Sequence, residues 1–182
     1  ASILGVYHAQ NPKDLWAAIE YSKLMSFVGS DDVAEAVMKT HFRAVKSDVA
    51  RMYMAHYLYK NGSLGRAEDE LQDIKDANLA VPMNLGLVYL KAKKLEKAVA
   101  AWDRVNATLP HWNKAQINAA LCLEQQGKIT EAIEKLSSLN LSTEFKKRVT
   151  NYISYLNDLK NRTPAADVKP TDDSLQMDLE WE

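Results

Sequence analysis

The residues able to do chemistry are few, and their spacing does not favour it. Cys122 is the single cysteine among 182 residues, which excludes an intramolecular disulfide and any multi-cysteine metal site. Set within Ala119-Ala120-Leu121-Cys122-Leu123, it reads as a small core residue and not as a reactive thiol. The four histidines, His8, His41, His56 and His111, show no short metal-ligand spacing. Of the acid pairs, Asp31-Asp32 suits a helix start, where carboxylates complement the dipole, and Asp172-Asp173 suits a solvated tail. The sequence contains no Gly-rich phosphate loop, nucleophile elbow, HExxH or CxxC. No catalytic residue, metal ligand or cofactor is therefore expected, and the chain reads as a non-enzyme.

Composition points to ordinary folded protein, 47% hydrophobic and 26% charged. No apolar run approaches the ~20 residues that span a bilayer, and Ala1–Gln10 lacks the basic n-region of a signal peptide. The cytoplasm is the expected compartment, with the periplasm as alternative. The net charge of −1 hides an asymmetry. Thr163–Glu182 carries six acids against one Lys, or −5, which leaves 22 basic and 18 acidic residues, or +4, on residues 1–162. A body so weakly positive is not the strongly basic footprint of a nucleic-acid binder.

Internal repetition governs the elements that must position any site. Segments starting at Leu15, Asp48, Leu79 and Asn113 are offset by 33, 31 and 34 residues. Each carries a small residue eight places in (Ser22, Ala55, Gly86, Ala120) and an alanine twenty places in (Ala34, Ala67, Ala98, Ala132). Large apolar residues recur at Met25, Leu58, Tyr89 and Leu123, and again at Met38, Leu71, Trp102 and Leu136. Gly29, Gly62 and Gly127 fall between the two halves of a segment, with Lys93 in that place in the third. Two antiparallel helices approach closely only where both carry small side chains, while the large residues fill the space between hairpins. Glycine relieves the left-handed backbone that ends the first helix. A single hairpin cannot bury its own face, so hairpins must stack.

These segments resemble the tetratricopeptide repeat (TPR) family, whose period is 34 residues. Leu85-Gly86-x-x-Tyr89, Ala98, Trp102 and Pro110 of the third segment fall where the family pattern has them. The fourth keeps Gly127, Ala132 and Leu136, the second Gly62, Leu64, Ala67 and Leu71, and the first departs at Asp31 and His41. The resemblance implies an all-α fold, a superhelical stack of four TPR-like repeats (15–47, 48–78, 79–112 and 113–141) behind a lead-in over 1–14. A capping helix over 142–162 and an acidic tail over 163–182 complete the expected layout. Asn11-Pro12 reads as the start of the first helix, near Pro12–Val28, and Ser30 and Ser63 as caps of the partner helices. In the capping helix, Phe145, Val149, Tyr152, Ile153, Leu156 and Leu159 form one stripe.

In this family the first helix of each repeat lines an inner groove. The implied peptide-binding positions are Met52, Tyr53, His56 and Tyr59 in the second repeat, with Val49 and Lys60 in the same register. The third gives Met83, Asn84, Leu87, Leu90 and Lys91, and the fourth Lys114, Asn118 and Leu121. Met and Tyr suit an apolar peptide, since Met adapts its shape and Tyr adds a hydrogen bond. The competing reading places several of these side chains between helices, Met52 and Leu121 foremost. Family members that grip the C-terminal carboxylate of heat-shock chaperones use Lys, Asn and Arg at fixed places. Asn84 and Lys114 match, whereas Met52, His56 and Asn118 do not, which disfavours that specialisation. In size and groove character the chain is more similar to small repeat chaperones such as those of type III secretion.

Near the chain end Leu175, Met177, Leu179 and Trp181 alternate with polar residues at strand period, a pattern of extended docking peptides. The tail can dock in cis or on a partner. The expected partner is thus a protein or peptide, not nucleic acid, with no membrane insertion. The expected function is that of an adaptor, assembly factor or chaperone. The alternative is a permanent structural subunit of a larger complex, docked through its tail or convex face.

Overall fold

The structure, a computed structural model, describes residues 2–76, 80–161, 175–177 and 179–181, with the side chains of 2, 143 and 144 excepted. Leu79, Asp172 and Asp173 and all of residues 162–174 lie outside the described residues. Among the described residues the regular structure is helical: α1 (Ser2–Gln10), α2 (Leu15–Phe27), α3 (Asp31–Val45), α4 (Asp48–Lys60), α5 (Leu64–Gln72), α6 (Val81–Lys91), α7 (Leu95–Trp102), α8 (Trp112–Gln125), α9 (Ile129–Ser137) and α10 (Thr143–Asn161). The chain divides into two units, Ala1–Val81 and Pro82–Glu182. In the first, α1 packs on α2, α2 on α3, α3 on α4 and α4 on α5; in the second, α7 packs on α8, α8 on α9 and α9 on α10.

The small residues do what their spacing implies. Ser22, Ala34, Ala55, Ala67, Ala98, Ala120 and Ala132 are all buried. The closest approach is at Gly86 of α6, where a Cβ would lie 2.2 Å from Nε1 of Trp102 on α7. Only a residue without a side chain leaves room for that indole, which is fully buried and donates to the Met83 carbonyl at 3.1 Å.

Four turns share one construction. Gly29, Gly62 and Gly127 have φ of +79°, +76° and +75°, and Lys93 has φ of +58°. In each, the residue after the left-handed one donates its N–H back to the large apolar residue of the first helix: Ser30 to Met25, Ser63 to Leu58, Lys94 to Tyr89 and Lys128 to Leu123, at 2.8–2.9 Å. The left-handed residue itself bonds to Ser26, Tyr59, Leu90 or Glu124, so the carbonyls orphaned at the helix end find donors.

That construction corrects the capping expectation. Ser30 and Ser63 hold the N-cap positions but make no side-chain cap bond. Their ψ values of 61° and 60° fall short of the extended backbone that aims a cap side chain at the first turn. Ser47 (ψ 151°) and Asp14 (ψ 104°) have that backbone and do cap, accepting from the N–H of Ala50 and Ala17 at 3.1 Å. α2 accordingly starts at Leu15 behind Asp14, and Asn11-Pro12 belongs to the turn after α1. His41, at a place usually apolar in the family, is buried and donates Nδ1–H to the Pro12 carbonyl at 3.1 Å, which ties that turn to α3. Asp31 begins α3, and its carbonyl accepts from the Tyr57 hydroxyl.

Candidate functional site

Within the first unit α2 and α4 flank an open cavity of about 640 Å³. Ile19, Ser22, Lys23, Ser26 and Phe27 come from α2, Met38 from α3, and Tyr53, His56, Tyr57 and Lys60 from α4, with Asn61 just beyond it. The helices bring these residues together because 19, 22, 23 and 26, like 53, 56, 57 and 60, sit at the i, i+3, i+4, i+7 spacing of one helical face, with Phe27 at i+8 on α2. Phe27 is 87% exposed and Tyr53 41% exposed, which leaves two aromatic faces uncovered at the rim. Ser22 is held at the cavity floor, donating to the Ala34 carbonyl at 3.1 Å.

The electrostatics are one-sided. Lys23 and Lys60 line the cavity and no Asp or Glu does. Lys23 is paired at 2.8 Å with Glu20, one turn back on its own helix. Burial, and next the charges of Lys60 and Lys23, hold the His56 imidazole below its usual value. The cavity therefore presents two ammonium groups and an imidazole held toward its neutral form, beside apolar and aromatic lining from Ile19, Phe27, Met38 and Tyr53. Such a surface takes an apolar side chain, and an acid beside it.

The inner-groove positions read from the sequence fall into four groups, with Asn118 in two of them. Tyr53 and His56 come together in this cavity. Lys114 and Asn118 come together in a second one, of about 350 Å³, in the unit Pro82–Glu182. Met52, Met83, Asn84, Leu87, Asn118 and Leu121 are buried, so the structure places their side chains in the interior. Tyr59 and Leu90 are half-buried and Lys91 is exposed, outside both cavities. Of the docking residues proposed near the chain end, Leu175 is buried, Met177 and Trp181 are half-buried and Leu179 is exposed.

The α2 contribution was missed, although the register that selects Tyr53 and His56 also selects Ile19, Lys23, Ser26 and Phe27 when started at Leu15. The signal was present; the divergence of the first repeat at Asp31 and His41 masked it.

The second cavity lies between α8 and the start of α10. Asn113, Lys114 and Ile117 face Asn140, Leu141 and Phe145 across it, and Gln176 closes one side. Asn113 Nδ2 donates to the Asn140 carbonyl at 3.1 Å. The Tyr152 hydroxyl donates to Glu124 Oε2 at 2.6 Å and joins α10 to α8; burial and this carboxylate push the phenol well above its usual range. Cys122 is buried in α8, and burial pushes its thiol up to about 11, which suits a packing role. Among the described residues no group of three His, Cys, Asp or Glu could hold a metal ion.

Helical hairpins packed in sequence, with small residues at the crossings and left-handed stops between helices, make an all-α repeat fold of the TPR type. The crystal structure of MamA, a TPR protein, is similar to it with a TM-score of 0.61, covering 86% of this chain and 86% of that one at 17% sequence identity. At that identity the likeness establishes the fold. No family model matches the sequence and no curated protein does. No helix among the described residues is long and apolar enough to cross a membrane.

Proposed function

We propose that this chain is a non-catalytic protein-interaction module that holds a polypeptide segment between α2 and α4, as an adaptor, assembly factor or chaperone. The observation that carries the reading is the uncovered aromatic pair Phe27 and Tyr53 at the rim of a 640 Å³ cavity free of acids. That volume falls within the ~300–1,000 Å³ of small-ligand pockets, and admits a few side chains of a bound segment. Lys23 and Lys60 favour a segment with an acid next to its apolar anchor, and they speed its capture. The alternative of a permanent subunit docked by its tail has less support, because Leu175 and Met177 are engaged within their own unit.

A displayed peptide library selected on the full chain tests the reading. Selected peptides should combine large apolar residues with Asp or Glu, and Phe27→Glu or Tyr53→Glu should abolish their binding with helicity by circular dichroism unchanged. Peptides that bind both variants as well as the parent would place the site elsewhere.

A further inference from the structure

The chain end carries a second inference, which stands apart from the α2/α4 reading. Leu175 belongs to the buried cluster that includes Ile117, Leu121, Val149, Tyr152 and Leu156, and Met177 packs half-buried against it. Gln176 between them is exposed and borders the 350 Å³ cavity. Alternate side chains turned in and out, with no helix or turn assigned, are the manner of an extended peptide lying on a protein surface. On α8 this cluster is met by Ile117 and Leu121, the second of which is one of the groove positions read from the sequence.

Charge agrees with the seating. The cavity lining includes Lys114 and no Asp or Glu. Phe145, also in the lining, carries the Arg148 guanidinium over its ring at 5.5 Å. The arriving segment is acidic, with Asp178 and Glu180 between its apolar residues and Glu182 after Trp181. It is tethered to α10 by the 13 residues 162–174. A ligand on a short tether experiences an effective concentration of about millimolar, so a contact of modest affinity is enough to keep it in place.

We propose that α8 and α10 form a docking face for an extended acidic peptide with aliphatic residues at alternate positions, and that the segment around Leu175 and Met177 is its resident ligand, bound in cis. An external peptide of the same chemistry then binds only the molecules whose own tail has left. If the tail covers the face in about nine molecules of ten, the apparent affinity for an external peptide falls about tenfold.

The probe is a fluorescent synthetic peptide with the sequence of Ser174–Glu182, read by anisotropy against the full chain. Leu175→Ala/Met177→Ala should bind it about tenfold more tightly than the parent. Lys114→Glu in that background should reverse the gain, as should high salt. Met177→Gln alone, at a half-buried position, should give a smaller gain and keeps the test usable if the double variant unfolds. Equal binding by parent and variants would overturn the proposal. So would a variant that melts lower without gaining affinity, because the segment would then be a fixed piece of core. A concentration-dependent dimer of the parent, lost in the double variant, would overturn the cis seating in favour of exchange between copies. None of these readouts depends on Phe27 or Tyr53, so the two sites fail or stand separately.

Discussion

Adding one methyl group at Gly86 sets two opposed effects against each other, and the structure decides between them. Alanine in place of a mid-helix glycine gains up to about 1 kcal/mol in helix propensity. Here the new Cβ would stand 2.2, 2.4 and 2.6 Å from Nε1, Cε2 and Cδ1 of Trp102, against the ~3.5–4.0 Å of ordinary contact. The indole is fully buried and held by its bond to the Met83 carbonyl, so it has to move by more than about 1 Å to restore contact distance. Overpacking of this kind costs ~1–3 kcal/mol, and a buried N–H left without its acceptor another ~1–3 kcal/mol. Gly86→Ala should therefore destabilise by about 1–5 kcal/mol after the propensity gain is subtracted. The control is Gly65→Ala in the first turn of α5, where nothing lies within 4 Å of the added Cβ; it should be neutral or stabilising by up to about 1 kcal/mol. Urea unfolding followed by far-UV circular dichroism measures both. If Gly86→Ala is as stable as the parent, Trp102 does not pack on α6 and the pairing of α6 with α7 is wrong.

Other expectations follow from single features. Lys93→Gly should raise the urea midpoint by the equivalent of ~0.5–1 kcal/mol, because it removes a left-handed non-glycine at φ +58° at the smaller entropic cost of glycine. Tyr152→Phe removes the bond to Glu124 and should cost ~1.5–3 kcal/mol, as for a hydrogen bond to a charged group. His56 titrates below its unfolded value, so the unfolded chain binds the proton first as pH falls. Its contribution is then intact above about pH 6.5 and lost as pH drops through the lowered value. His56→Gln should flatten that limb of the stability–pH curve, and an unchanged limb would refute the assignment.

How much was legible depended on whether a contact is made by apolar side chains at regular spacing. The buried small positions Ser22 and Ala34, Ala55 and Ala67, and Gly86 and Ala98, and the turns at Gly29, Gly62 and Gly127, could be read directly, because each repeats its neighbour's solution. Lys93 was recognisable as the odd member, and it keeps the left-handed backbone without the residue that favours it. Helix α1, in the expected lead-in, was not legible. Its apolar residues Ile3, Val6 and Tyr7 are exposed, and its inward contacts are made by His8, tilted against Tyr21 at 6.1 Å, and by Gly5. A helix that docks through a histidine and a glycine leaves no apolar stripe. The groove positions Met83, Asn84 and Leu87 were ambiguous for the opposite reason. In a stack of hairpins the residue that faces a groove and the residue that faces the next helix differ by one or two places in register, and burial separates them only after the helices pack.

In each of the four turns the residue that closes one helix is also the N-cap of the next, so no residue is left over between the two halves of a hairpin. A helical residue turns through about 100°, and one residue inserted there would swing the second helix's alanine away from its partner. Length can vary only where helices are joined otherwise, as at residues 103–111 between α7 and α8. The unequal segment offsets of 33, 31 and 34 have their origin in this division. The small residue and the alanine stay twelve places apart in every segment, from Ser22 to Ala34 through Ala120 to Ala132, while the drift accumulates between hairpins. A grafted loop or an affinity tag belongs in those inter-hairpin joints, and the four short turns will reject it.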